Sequence, residues 1–414
     1  MSPRRRLVAL ADTDSYVKWA AALISTLDPE WQVSLLVVQT PLAVSDAQLD
    51  AALNGSDLDV SGVERVGWSD LRDRLERERP DAVLLAARGP LVRVLAREVA
   101  TLSPRPVLAT GLPGISIPAT RKAIAYRTQC DLFVLHSRRE RRDFTALAEE
   151  RGMPQLFGLA TLPFARGGAV APARAAGRDL VFAAQAKVPA ERRDRERIAA
   201  LLVRAARADP ARRVVVKLRA ATGEHQTHLE RDAYPDLLEA FAPLPENLVM
   251  STAPMGRALA SAEGLVTVSS TAAIEAVARG VPVIALDLFG VSPELINEVL
   301  AEAGLLGGEE DVVHRRFRRP DARWMDDNYF HDPAQDDWSA ALADLVEARR
   351  AGSLPSKPPL ARRGGALRDV WERKSVLGAE DRSLRGFVAL AVAVPARAGL
   401  RLVHRLRRRS AVAR

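Results

Sequence analysis

Gly264-Leu-Val-Thr-Val-Ser269-Ser270-Thr271-Ala-Ala-Ile-Glu275-Ala-Val-Ala-Arg-Gly280-Val-Pro282-Val-Ile-Ala-Leu286 reads as a buried strand, a hydroxyl-rich turn, a short helix stopped by glycine, and a second buried strand. Leu265–Val268 is short, apolar and β-branched, as a strand covered on both faces requires. Ser269 or Ser270 is placed to cap the helix, and Gly280 to end it. Three hydroxyls beside a helix N-terminus suit a phosphate, because unpaired N–H groups and the positive end of the dipole face the anion. Glu275 lies about one turn into the helix, in reach of a ribose hydroxyl. The same residues equally suit an ordinary strand–helix–strand corner with no ligand.

Strand and helix patterns alternate on either side of this segment. Upstream, strands are predicted at Leu7–Ala11, Gln32–Val38, Ala82–Ala86, Pro106–Thr110, Leu132–Leu135 and Gln155–Gly158. Helices are predicted at Tyr16–Leu27, from a Ser69 cap to Arg79, at Pro90–Thr101 and at Arg138–Arg151. Arg166–Gly177 is rich in Gly, Pro and small residues and has no large apolar face, so it reads as a linker. The pattern then restarts, with strands at Leu180–Ala183, Val214–Leu218 and Leu248–Met250 and helices at Pro189–Ala208, Tyr234–Phe241 and Pro293–Ala303. Such alternation predicts an α/β protein of two doubly wound, Rossmann-like domains facing a cleft, at residues 1–170 and 171–350, with a basic tail at 351–414. Ligands in such sheets bind beyond the carboxyl ends of the strands, so the loops that follow strands hold the candidate chemistry.

Composition narrows the class. The chain has 414 residues, 48% of them hydrophobic, enough for two ordinary cores. A single cysteine, Cys130, excludes an internal disulfide framework and a cysteine metal cluster and fits a reducing cytoplasm. Arg4–Arg6 is followed by too short an apolar run for a signal peptide. Residues 351–414 carry 15 Lys/Arg and 4 Asp/Glu, a net +11, so of the overall +8 the first 350 residues hold −3. A near-neutral body argues against nucleic-acid binding, which would place its basic footprint on the fold.

After the first strand, Asp12 and Asp14 are candidates for a general base on an acceptor hydroxyl, or Asp14 and Ser15 simply cap the next helix. No G-x-G-x-x-G stands there, which argues against a nicotinamide dehydrogenase. Arg88-Gly89 and His136-Ser137 follow later strands, Arg88 as an anion contact or a solvated turn residue, His136 as a functional or a structural group. Lys217 ends an apolar run, where a lysine needs a partner, and leads into Arg219, His225 and His228. These cations and histidines form an anion-facing set or a solvated loop. No further metal ligands stand at motif spacing, and the D-x-D matches at Asp12/Asp14 and Asp57/Asp59 are too short to argue for a metal–diphosphate site. No P-loop, G-x-S-x-G elbow, H-E-x-x-H or paired C-x-x-C is present.

The two-domain pattern and the stretch Glu275-Ala-Val-Ala-Arg-Gly-Val-Pro-Val-Ile-Ala resemble GT-B glycosyltransferases, whose donor-site signature is similar and whose glutamate there holds the donor ribose. Retaining members carry a second glutamate eight positions earlier; here Thr267 stands there, so the resemblance implies an inverting enzyme. Ser269-Ser270-Thr271 looks more like capsule-type and polysialyltransferase-like enzymes, which place serines at the donor phosphate, although their K-x-H-P element reads Lys217-Leu-Arg219-Ala here. Over about residues 1–350 the chain also resembles an actinobacterial family described only as candidate glycosyltransferases, through Ala11-Asp-Thr-Asp-Ser-Tyr, Gly158-Leu-Ala-Thr-Leu-Pro-Phe164, Lys217-Leu-Arg and Val268-Ser-Ser-Thr.

The resemblance implies transfer of a sugar from a nucleotide-activated donor to a glycan or lipid-linked acceptor in cell-surface polysaccharide synthesis, with no metal and no cofactor. Ser269, Ser270, Thr271, Lys217, Arg219, His225 and His228 would hold the donor phosphates, Glu275 the ribose, and Asp14 or Asp12 would take the acceptor proton. The alternatives are a sugar-nucleotide 2-epimerase on the same fold and a non-catalytic nucleotide-binding assembly protein. In the tail, Phe387–Val394 is too short to span a bilayer. Arg397, Arg401, Arg405 and Arg408 recur at helical spacing opposite Leu400, Val403 and Leu406, a pattern for a helix lying on anionic lipid, for one packed on the body, or for a disordered segment. A cytoplasmic enzyme, peripheral on the inner membrane face, is the expectation.

Overall fold

In the computed structural model, residues 4–42, 44–53, 56, 58–162, 165, 177–218, 232–362 and 364–391 are described. Their apolar β-branched runs form two parallel sheets. The first contains β1 (Arg5–Ala11), β2 (Trp31–Val38), β3 (Val63–Val66), β4 (Ala82–Ala86), β5 (Val107–Gly111), β6 (Leu132–Leu135) and β7 (Leu156–Leu159), in the order β3-β2-β1-β4-β5-β6-β7. The second contains β8 (Asp179–Ala183), β9 (Val214–Lys217), β10 (Leu248–Ser251), β11 (Ala262–Thr267), β12 (Val283–Leu286) and β13 (Leu306–Gly307), in the order β10-β9-β8-β11-β12-β13.

Successive side chains of a strand feed opposite cores. Leu7, Ala9 and Ala11 of β1 join one buried cluster with Trp19 and Leu23, while Val8 and Leu10 join another with Leu91 and Leu95. The second sheet is sandwiched likewise: Leu265 packs with Ala273 and Val277, and Val266 with Ile198 and Leu202 on the other face. Burial on both faces is why these strands read as continuous apolar runs.

Each sheet is wound in two directions from one point. In the first, the strand order reverses between β1 and β4; in the second, between β8 and β11. All strands of a sheet are parallel, so each reversal opens a crevice at the carboxyl edge, between the loops leaving the two strands. These two crevices position everything that follows.

Helix Trp338–Arg350, which the sequence reading did not single out and which lies within residues 171–350, buries Trp338, Leu342 and Val346 in the core of the first sheet. Gly158 of β7 accepts that helix: a Cβ there would stand 3.0 Å from Trp338. Asp337, just before the helix, accepts the Leu159 amide at 2.6 Å, and Asp336 accepts the Thr161 amide at 2.7 Å. The first domain is therefore completed by a segment that follows the second. Part of the expected flexible tail is also ordered on the first domain. Helix Gly365–Leu377 packs on helix Gly89–Val99 through Arg93–Glu372 (3.0 Å) and Arg97–Asp369 (2.6 Å). Of the expected linker Arg166–Gly177, all but Gly177 lies outside the described residues, as does the basic stretch 397–408.

Local starts and stops differ from expectation in instructive ways. The helix after β1 begins at Asp14 with Thr13 in the cap position and no side-chain cap, so neither Asp14 nor Ser15 caps it. Gly67, not Ser69, precedes helix Trp68–Glu78. The helix after β11 runs Ala272–Ala278 and is followed by Gly280 at φ +69°, where a side chain would be strained.

Candidate functional site

The two crevices face one another across the domains, and the polar residues singled out in the sequence gather at them. In the second domain, Gln185 follows β8 and the turn Ser269–Thr271 follows β11, one on each side of the strand-order reversal. The Gln185 amide links them. Its Oε1 accepts the Ser269 N–H at 2.9 Å and the Thr267 hydroxyl at 3.3 Å, and its Nε2 donates to the Ser269 hydroxyl at 3.2 Å. Thr267 Oγ1 in turn accepts the Ser270 amide at 3.1 Å, and Ser270 Oγ accepts the Ala272 amide at 3.2 Å.

The amides of Ser269, Ser270 and Ala272 already have side-chain acceptors, in Gln185, Thr267 and Ser270, and the helix that follows has only seven residues. What the turn presents is hydroxyl groups on a backbone braced by Gln185, not a nest of bare N–H groups with a strong dipole behind it. Thr267, which replaces a glutamate of related enzymes by resemblance, is a brace of that turn.

Lys217 ends β9, on the far side of β8 from β11, which sets it about 10 Å across the sheet from the turn, two strand spacings away. It is nearly buried, and its ammonium donates to the Leu218 carbonyl. Arg219, His225 and His228 lie outside the described residues. Glu275 is buried in helix Ala272–Ala278; its carboxylate meets Arg279 at 3.2 Å and, across the cleft, Lys18 of the first domain at 4.0 Å.

In the first domain, Asp12 follows β1 and Arg88 follows β4, again on the two sides of the reversal. They are bonded to each other, Arg88 Nε to Asp12 Oδ2 at 2.7 Å and the Arg88 amide to Asp12 Oδ1 at 3.3 Å. Asp12 is wholly buried, and burial pushes its carboxyl above the usual range against the pull of Arg88. Both Asp12 oxygens are thus engaged by Arg88 and lie away from the surface. Asp14, in the first turn of the same helix as Lys18, is only partly buried.

His136 is a structural group. It is fully buried between Trp19, whose Nε1 donates to its Nε2 at 2.7 Å, and the Ala160 carbonyl, 2.7 Å from Nδ1. One accepting and one donating nitrogen describe the neutral ring protonated on Nδ1. Burial pulls its pKa down to about 4. Ser137 caps helix Arg138–Glu150 by accepting the Glu140 amide at 2.9 Å.

Glu140 was missed in the sequence because it stands in the charged run Arg138–Asp143, which reads as a solvated face. It is fully buried and accepts three bonds: from the His136 amide (2.9 Å), from the Ser116 amide (2.9 Å) and from the Tyr329 hydroxyl of the second domain's closing segment (2.8 Å). Burial outweighs those donors and pushes its pKa up to about 7. Ser116 belongs to the loop after β5, whose neighbour Gly114 lies directly on the Ser269–Thr271 turn: a Cβ at Gly114 would stand 2.7 Å from Thr271 Cγ2. Arg138–Asp326 (2.6 Å) and Arg139–Glu302 (2.5 Å) add further bridges between the domains. Among the described residues, no group of three or more His, Cys, Asp or Glu side chains is placed to hold a metal ion.

Comparisons with known proteins agree with this architecture. A family model described as "Putative glycosyltransferase (DUF6716)" matches residues 7–345. No curated protein matches the chain. Among solved structures, the chain is similar to a Staphylococcus aureus MnaA–UDP complex (12% identity, 86% of this chain and 99% of that one, TM-score 0.53). It is also similar to UDP-GlcNAc 2-epimerase of Methanocaldococcus jannaschii (11% identity, 83% and 99%, TM-score 0.53). UGT2 of Phytolacca americana, complexed with UDP-2-fluoro-glucose and pterostilbene, aligns at 12% identity over 89% and 99%, with a TM-score of 0.45. At such identities the first two likenesses show the fold: two Rossmann-like domains of GT-B type.

Proposed function

The chain belongs to that glycosyltransferase family, and from this premise we propose that it moves a sugar from a nucleotide-activated donor to a hydroxyl of a glycan or lipid-linked acceptor in cell-surface polysaccharide synthesis, by inversion and without a metal. One observation carries the reading. The strand-order reversals of two parallel sheets face each other, and the contacts between them, Lys18–Glu275 and Gly114–Thr271, join the expected donor side to the acceptor side.

The donor diphosphate lies at the Ser269–Thr271 hydroxyls, with Lys217 and Arg219 supplying positive charge and His225 and His228 adding donors. Glu275 takes the ribose after parting from Lys18, a half-exposed ion pair worth only about 0–1 kcal/mol. The acceptor oxygen attacks the anomeric carbon from the first-domain side and its proton passes to the Asp14 carboxylate. The bond from the sugar to the phosphate oxygen breaks, and the electron pair leaves with the diphosphate, where the cations stabilise it. Asp12, held by Arg88, shapes the acceptor crevice and takes no proton. UDP is the first donor to test, because a similar fold, that of the MnaA structure, has been solved with it.

The test is a thermal-shift screen against CMP-, CDP-, UDP-, GDP- and ADP-linked sugars. One donor class should raise the melting temperature, and Ser270→Ala and Glu275→Ala should each diminish that shift. No shift with any donor, or an unchanged shift in both variants, refutes the site. Incubation of nucleotide-sugar alone separates the alternatives. An epimerised nucleotide-sugar identifies an isomerase, the reading favoured by the likeness to a 2-epimerase. Binding without turnover in the presence of acceptors identifies an assembly protein.

A further inference from the structure

Residues 384–391 form a helix that is inside out by the usual rule. It buries Gly386 and Ala389 and exposes its three bulkiest apolar side chains among residues 384–388, Leu384 at 83%, Phe387 at 54% and Val388 at 60%. Positions i, i+3 and i+4 share one face, so the three make a single ridge. The orientation is built in. Gly386 lies so close to Asp381 that a Cβ there would come within 2.8 Å of its carboxylate, and the Gly386 amide donates to Ser383 Oγ at 3.1 Å. Asp381 and Ser383 are held by Arg373, at 2.9 and 2.7 Å, and the Lys374 ammonium bonds the Asp381 carbonyl at 2.6 Å while standing 3.9 Å from the Phe387 ring centroid. Through helix Gly365–Leu377 the ridge is fastened to the first domain.

Charge indicates what covers the ridge. Arg382 and Arg385 flank it on exposed positions, and residues 382–414 contain nine arginines and no Asp or Glu. An apolar ridge flanked by exposed arginines matches the boundary between acyl chains and anionic headgroups, which offers both phases in one plane. A nucleic acid would use the arginines but has no place for projecting leucine and valine. No helix of the described residues is long and apolar enough to cross a membrane, so contact would be with the surface.

We propose that Leu384, Phe387 and Val388, with Arg382 and Arg385 beside them, dock the first domain on a bilayer surface bearing anionic lipid. This deepens the proposed function and rests on its lipid-linked acceptor for its purpose: the acceptor-binding domain is the one brought to the membrane. The site is distinct from the 397–408 pattern, since it places the apolar anchor upstream, on an ordered support.

The test uses the full chain and its Leu384→Ser/Phe387→Ser/Val388→Ser variant in sedimentation with vesicles of phosphatidylcholine alone or mixed with phosphatidylglycerol. The protein should bind the mixed vesicles, more weakly as salt rises, and the triple variant should lose on the order of tenfold or more in affinity. Leu384 and Val388 are largely exposed and Phe387 gives up its contact with the Lys374 ammonium, so the variant's melting temperature should fall only slightly. The proposal is overturned if the variant binds the mixed vesicles as well as the parent, if the parent binds neither vesicle, or if it binds RNA in preference to them. It is equally overturned if the parent is a dimer that the triple change makes monomeric with no effect on vesicle binding. The donor thermal shift, measured on the same variant, separates the two ideas: a lost membrane contact with the shift intact leaves the transferase standing, and a lost shift with vesicle binding intact leaves the membrane surface standing.

Discussion

Glu140→Gln should gain stability over the parent as the pH rises from 4.5 to 7. Glu140 and His136 are both fully buried and their pKa values are displaced in opposite directions, from 4.5 to about 7 and from 6.5 to about 4. For Glu140 the folded value is the higher. Below pH 4.5 both states are protonated, and as the pH rises towards 7 the unfolded chain gives up its proton first, so stability falls. For His136 the folded value is the lower. Between pH 4 and 6.5 the unfolded chain holds more protons than the folded one, so stability rises with pH. Each displacement spans about 2.5 pH units at 1.36 kcal/mol per unit, roughly 3 kcal/mol. Between pH 4.5 and 6.5 the two slopes therefore oppose each other and nearly cancel. Glu140→Gln removes the falling component and leaves the rise due to His136. The difference in unfolding free energy, variant minus parent, should increase by roughly 3 kcal/mol from pH 4.5 to pH 7. His136→Gln should do the reverse, its difference falling by a similar amount between pH 4 and pH 6.5. Urea unfolding at fixed ionic strength across pH 4 to 8 measures both, and because differences are compared, every other titrating group drops out. A Glu140→Gln difference that does not change with pH would refute the argument that burial outweighs the three bonds from His136, Ser116 and Tyr329.

Two further perturbations probe the same junction. Gly114→Ala should destabilise the chain by about 1–3 kcal/mol, because its methyl meets Thr271 Cγ2 at 2.7 Å; Thr271→Ser removes that methyl and should restore most of the loss in a double-mutant cycle, whereas simple additivity would place the strain elsewhere. Arg88→Ala leaves the Asp12 carboxylate buried without its partner and should lower stability by about 3–5 kcal/mol, with a larger deficit at pH 8 than at pH 5, where protonation relieves the stranded charge; an equal loss at both pH values in chemical denaturation would show that Arg88 acts only through packing.

Much of the architecture was legible because it is written in local pattern. Ala82–Ala86 and Leu132–Leu135 lie at the bounds their apolar runs suggest, since strands buried on both faces have no polar positions to blur them. The turn Ser269–Thr271 was found for the same reason: its hydroxyls interrupt an apolar run at the end of a strand, where ligands of such sheets gather. The site's wiring was not legible. Gln185 is an unremarked glutamine 84 residues from the serine it braces. Asp12 reads as a free carboxylate after a strand until Arg88, 76 residues on, closes over it. Glu140 reads as one of six consecutive charges until Tyr329, 189 residues away, and Ser116 bury it.

Helix Trp338–Arg350 marks the boundary between the two kinds of information. Its apolar positions at Trp338, Leu342 and Val346 announce a helix with one buried face, and periodicity alone is enough for that. Which sheet receives the face is decided by shape: Gly158 leaves a gap on the first domain that Trp338 fills, and Asp336 and Asp337 tie the entry to β7. Sequence by itself determined most of the longer strands and helices, the parallel winding and the hydroxyl turn, because each depends on residues near one another in the chain. Only the tertiary structure decided which carboxylates are engaged, which loop lies on which turn and which domain the last helix completes, because burial and pairing are properties of groups that meet only when the chain is folded.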